Sequence, residues 1–207
     1  MQLKKLDEYI WTYDGSTVSF YGFPYSTRIT VIQLSDGCLW VHSPEKLNDE
    51  LKEELKSIGE VRYLISPNRL HHLFLDEWIS VYPDAKLYAA PGLIEKRPDI
   101  TFAKELSGIP EKEWGIEIEQ AVFQGSPAME EVVFFHKSSK TLILTDLIEN
   151  FDASVFPGWR KPIAWVTGIL SPNGKTPLDW RLTFLFGTSV FPLKAALAKE
   201  SLLKPPL

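Results

Sequence analysis

Apolar and polar positions alternate through the first forty-two residues. Tyr9-Ile10-Trp11-Thr12-Tyr13 leads to a turn signal, Asp14-Gly15-Ser16, and then to Thr17-Val18-Ser19-Phe20-Tyr21. A longer run over 27–34 ends at a second turn, Ser35-Asp36-Gly37, and 38–42 follows as a short apolar block. β-branched and aromatic residues bounded by Asp-Gly signals predict strands and hairpins here. The period then changes. Leu47, Leu51, Leu55 and Ile58 repeat at helical spacing and predict one buried stripe. Ser43 is the expected N-cap, Pro44 the first helical residue, Glu45 an acid at the positive end of the dipole, and Gly59 the stop. Residues 61–65 read as a buried strand. A β-α-β order in one sheet implies a right-handed crossover to a parallel neighbour.

The remaining chain repeats this order in part. The loop Ser66-Pro67-Asn68-Arg69 leads to an expected helix over 71–81 and a strand over 86–89 that ends at Pro91-Gly92. Residues 95–114, with Pro98 and Pro110, read as irregular. Strands are expected at 116–123, 131–136 and 140–145. Helix and loop segments broken by five prolines fill 147–203, and the tail 204–207 is expected to fray. A length of 207 residues suits one domain over 1–207.

Composition narrows the classes. A net charge of −5 argues against a general nucleic-acid binder. The single cysteine, Cys38, excludes an intrachain disulfide and a thiolate zinc site, and its apolar context predicts a core residue. No apolar run is long enough to span a bilayer, and acids follow the first five residues where a signal peptide would continue apolar. These features predict a cytoplasmic protein without membrane or nucleic-acid partners. Neither a P-loop nor a dinucleotide fingerprint is found, so no nucleotide cofactor is expected.

Chemistry is confined to few side chains. The four histidines are His42, His71, His72 and His136. His71 and His72 follow a strand in the strand-loop-helix order, where ligands of α/β sheets bind. Asp146 ends the apolar run Thr141-Leu142-Ile143-Leu144-Thr145. His71, His72 and Asp146 together offer two nitrogens and one carboxylate, a set suited to Zn²⁺ or Fe²⁺. Equally, the histidines could line a loop while Asp146 accepts backbone hydrogen bonds. His42 could line the site or pack, and Asp76, four residues after His72, could orient it. His136, beside a hairpin turn, is expected to be exposed. Trp159, Trp165 and Trp180 with Phe151 and Phe156 could wall a pocket, form a partner surface or pack.

Ser66-Pro67-Asn68, His71-His72, Tyr82-Pro83-Asp84-Ala85 and Ala90-Pro91-Gly92-Leu93 resemble a domain-of-unknown-function family of the metallo-β-lactamase-like clan. The run from Glu130 to Asn150, with Thr145-Asp146-Leu147, is similar to the same family, and the resemblance covers roughly residues 25–190. It implies an α/β, αββα four-layer sandwich with its site at one edge of two sheets and a C-terminal part that is short beside the family pattern. Against the clan's Thr-His-x-His-x-Asp-His motif, Pro67 and Arg69 replace the first two histidines, His71 takes the aspartate's place and His72 the last histidine's. Asp146 corresponds to the bridging aspartate and His42 to an early aspartate. The clan's later histidines have no counterpart near Gln124-Gly125-Ser126-Pro127 or after His136. Three clan-like ligands leave room for one Zn or Fe ion.

Three functions stay open. A mononuclear metal-dependent hydrolase would act on a small-molecule substrate. A non-catalytic relative would use the cleft to bind a small molecule or a protein. An iron-dependent oxidoreductase would use the two-histidine, one-carboxylate set. Fold alone does not choose among them.

Overall fold

The computed structural model describes residues 2–20, 22–127 and 129–185. Alternation places the N-terminal third in an antiparallel meander: β1 (Lys4–Asp7), β2 (Ile10–Phe20), β3 (Phe23–Gln33) and β4 (Cys38–His42). Helix α1 (Asp49–Ile58) crosses to β5 (Glu60–Ser66), which lies parallel to β4. Helix α2 (Leu75–Val81) leads to β6 (Lys86–Ala89). After α3 (Leu93–Lys96), β7 (Lys104–Glu105) completes a seven-stranded sheet whose strands follow in sequence order. A second sheet of β8 (Ile118–Phe123), β9 (Glu131–His136) and β10 (Thr141–Ile143) is antiparallel, ordered β10-β9-β8. Helices α4 (Arg160–Thr167) and α5 (Leu178–Thr183) follow.

The two faces of the large sheet divide the apolar residues. Ile29, Val31, Leu39, Val41 and Leu64 pack with Leu51 and Leu55 of α1 and Leu75 and Trp78 of α2. Ile32, Trp40, Tyr63, Ile65 and Tyr88 face the other way and pack with Ile118, Val132, Phe134 and Ile143 of the small sheet. This is the period-two alternation of strands read in three dimensions. Trp114 sits between the sheets at 1% exposure, with its ring 4.7 Å from Tyr88 and 5.5 Å from Tyr63. On the far side of the small sheet, Phe123 meets Trp180 of α5 and Phe184. The expected helix-sheet-sheet-helix layering holds, with a narrow fourth layer. The expected C-terminal shortening and frayed tail concern residues beyond 185, outside those described.

Several local expectations are corrected. Residues 14–16 form no turn. β2 runs through them with a register shift between Asp14 and Thr17. A Cβ on Gly15 would lie 2.1 Å from Glu45 Cγ, so the glycine makes room for a neighbour. Neither Ser43 nor Pro44 starts α1. Asn48 caps it, its side chain accepting from Leu51 N–H at 2.7 Å, because Ser43 to Leu47 are held in a loop over the sheet edge. There the buried Glu45 carboxylate accepts the Ser16 hydroxyl at 2.8 Å, and so serves no helix dipole. α2 starts at Leu75 instead of 71, since His71 to Phe74 are drawn into turns by bonds to Asn68 and Ser66. His136 is buried, 1% exposed, because Ser138 and Ser139 supply partners to its ring at 3.1 and 2.7 Å. Cys38 is a buried free thiol, as its context predicts.

Trp114→Ala should cost about 3–5 kcal/mol in urea unfolding, because it removes a fully buried ring from between the two sheets.

Candidate functional site

Strands β4, β5 and β6 run parallel and end at one edge, with His42 in register with Ile65 and Ser66 with Ala89. Four segments converge there. Ser43 follows β4 with φ of 58°, a left-handed conformation uncommon outside glycine and asparagine. Its N–H donates to the Ile65 carbonyl at 2.8 Å, which anchors the loop to β5. Ser66 ends β5, and its hydroxyl donates to the His71 carbonyl.

Asn68, fully buried, organises the turn between them. Its Oδ1 accepts Leu70 N–H at 2.8 Å and His71 N–H at 3.3 Å. Its Nδ2 faces Asp146 Oδ2 at 2.9 Å, Thr145 Oγ1 at 3.2 Å and Glu131 Oε2 at 3.3 Å. Glu131, also at 0% exposure, accepts three backbone N–H groups from Thr145, Asp146 and Leu147 at 2.8 to 3.0 Å. The Pro67 carbonyl accepts Val132 N–H at 2.8 Å. One polar network thus joins the loop after β5 to β9 and to the segment after β10.

His71 closes the network. Its Nδ1 lies 2.5 Å from Ser43 Oγ and its Nε2 3.3 Å from Asp146 Oδ2. A carboxylate only accepts, so in the neutral ring Nε2 carries the proton toward Asp146 and Nδ1 accepts from the serine. Burial opposes charge on His71, but the Asp146 carboxylate outweighs it and raises the pKa above the ordinary histidine value. For Asp146 burial likewise opposes charge, and His71 and Asn68 outweigh it, so its pKa falls. Burial and the Asp146 charge push Glu131 up. The His71 and Asp146 side chains remain 20% and 28% exposed, so solvent reaches the pair at the sheet edge. Surface hollows of about 360 Å³ near Thr17 and Pro157 and about 580 Å³ near Lys86 and Glu113 are lined by other residues.

The other expected site residues lie differently. His72 turns toward Arg97, whose Nη1 is 3.3 Å from His72 Nδ1. Asp76 does not orient His72 directly. It takes Arg97 Nη2 at 2.9 Å, so the guanidinium stands between them. His42 packs between the sheets, stacked 5.6 Å from Trp40, and burial depresses its pKa to about 3. Of the aromatic group, Phe156 and Trp180 are buried, while Trp159 and Trp165 are exposed. Sequence reasoning missed the organising roles of Asn68, Glu131 and Ser43. A glutamate opening an apolar strand, Glu131-Val132-Val133-Phe134, was the available signal.

Residues 7–158 match the family described as domain of unknown function DUF4336. The chain belongs to that family. No curated protein matches it. Among solved structures it is similar to the DIM-1 metallo-β-lactamase exposed to ceftazidime, at 14% identity and TM-score 0.59, covering 88% of this chain and 94% of that one. It is similar to a metallo-β-lactamase from Pontibacter korlensis at 11% identity and TM-score 0.58, covering 86% and 94%. The IND-7 metallo-β-lactamase gives 12%, 0.56 and 95% of both chains. Identities this low establish the fold alone: a metallo-β-lactamase fold.

The donor set does not suit the metal that this fold implies. Among the described residues no group of three or more His, Cys, Asp or Glu side chains is placed to hold an ion. His71 and Asp146 supply two donors near one point, fewer than the three protein ligands of a catalytic zinc site, and His72 faces Arg97. The expected ligand set His71, His72 and Asp146 is brought together only as the pair His71 and Asp146.

Glu131→Ala should cost about 3 kcal/mol or more in urea unfolding, since it leaves buried N–H donors without an acceptor. Glu149 supplies a pH test. Burial, then the charges of Asp146, Asp179 and Glu131, push its pKa to about 8. The folded chain therefore keeps a proton that the unfolded chain loses near 4.5, and stability through this group falls as pH rises from about 4.5 to about 8. Glu149→Gln should flatten that part of a melting-temperature profile.

Proposed function

We propose that the protein is a metal-independent member of the metallo-β-lactamase fold that receives a small molecule at the edge formed by β4, β5 and β6. One observation carries this reading: His71 and Asp146 are engaged with each other and with Ser43 and Asn68, while His72 faces Arg97. A cation there would have only His71 and Asp146 of the expected ligands as donors, since His72 is turned toward Arg97. The reading favours a binding relative over a Zn- or Fe-dependent hydrolase or oxidoreductase.

Cations also stand near the edge, with Arg97 offset by Asp76 and Asp99. The Lys96 ammonium donates to the Arg69 carbonyl at 2.8 Å. Burial, then the positive charges of Arg69 and Arg97, lower its pKa. These cations border the loop that carries His71 and His72.

The test is metal loading. Purified protein is equilibrated with Zn²⁺ or, without oxygen, Fe²⁺, then desalted and analysed for metal alongside His71→Ala. The expected result is far less than one ion per chain and a melting temperature unchanged by chelator. About one ion per chain, lost in His71→Ala, would overturn the reading.

A further inference from the structure

We propose that Ser43, His71 and Asp146 form a nucleophilic triad that cleaves a small carboxylic ester. The proposal rests on the metal-independent reading and adds a reaction to it. Three features of the geometry point there. Ser43 Oγ lies 2.5 Å from His71 Nδ1, within reach for direct proton transfer. The opposite nitrogen of the same ring faces Asp146 Oδ2 at 3.3 Å, and Asn68 Nδ2 donates to that same oxygen at 2.9 Å. A base between a hydroxyl and an orienting acid is the arrangement that activates serine, recognised by geometry and not by chain order. Finally, Ser43 is held at φ 58° directly after a buried strand. A non-glycine residue kept in the left-handed region at a sheet edge carries strain of the kind that clusters at reacting sites.

The step balances without a cofactor. The Ser43 hydroxyl oxygen bonds to the ester carbonyl carbon as its proton passes to His71 Nδ1. Asp146 stabilises the imidazolium that forms. The bond to the leaving alcohol then breaks, and the alcohol takes the proton from His71. Water attacks the acyl-serine by the same route, releases the carboxylic acid and restores Ser43. Asp146 and Asn68 are positioning residues in this scheme. Ser43 is only 4% exposed, so a carbonyl must approach past the open edges of His71 and Asp146.

The experiment uses a small alkyl fluorophosphonate, which phosphonylates activated serines, on the full chain after elemental analysis. Wild type, Ser43→Gly and His71→Gln are compared by intact mass and peptide mapping, with near-ultraviolet circular dichroism as the folding control. Glycine accepts φ 58°, so Ser43→Gly removes the hydroxyl without straining the loop. The expected result is one adduct on Ser43 in wild type, none at that peptide in Ser43→Gly, and labelling slowed roughly a thousandfold or more in folded His71→Gln. A folded, metal-free wild type that takes no adduct overturns the triad and leaves the metal-independent reading standing. Equal labelling of Ser43 in wild type and His71→Gln overturns it as well. A stoichiometric metal found at the outset overturns the metal-independent reading itself.

Discussion

A buried carboxylate inside the sandwich sets the geometry of everything around it. Glu131 enters at the start of β9 and gathers the N–H groups of Thr145, Asp146 and Leu147, which leave β10 without a strand partner of their own. A charge or proton placed in such surroundings is tolerated only when its oxygens are saturated by donors. Glu131 meets that condition, and Asn68 reaches across from the large sheet to share it. Apolar packing around Trp40, Trp114 and Phe134 presses the sheets together without direction. The polar network sets their register at one edge and aims Asp146 at His71.

Protein hydrogen bonds join the loops at this edge of the metallo-β-lactamase fold. A metal in such a fold draws ligands from separate loops to one point. Here hydrogen bonds through Asn68, Glu131 and Ser66 draw the same loops together. His71 and Asp146 stand 3.3 Å apart, where a carboxylate and an imidazole attract directly. His72 joins the surface ion-pair group of Arg97, Asp76 and Asp99.

Much of the fold was legible in the sequence because it rests on local periodicity. The stripe Leu51 and Leu55, the buried strand over 61–65 and the three later strands each carry their own signal. The helix starts were not legible, since Ser43 and His71 are drawn into loops by partners distant in sequence that override local capping preference. At the site, the sequence grouped His71, His72 and Asp146 as ligands of one ion, whereas the fold sets His71 beside Asp146 and turns His72 toward Arg97. The role of Glu131 was not legible, because a glutamate beside an apolar strand reads as a solvated end until the second sheet is folded over it. His136 misled in the same way, with its burial supplied by the turn that suggested exposure.

The central claim is that hydrogen bonds alone hold the site edge together. Hydrogen exchange of the Thr145, Asp146 and Leu147 amides in chelator-treated protein tests it most directly. The account predicts protection comparable to the core strands β4 and β5, unchanged when zinc is added. Rapid exchange that becomes slow only on zinc addition would contradict it.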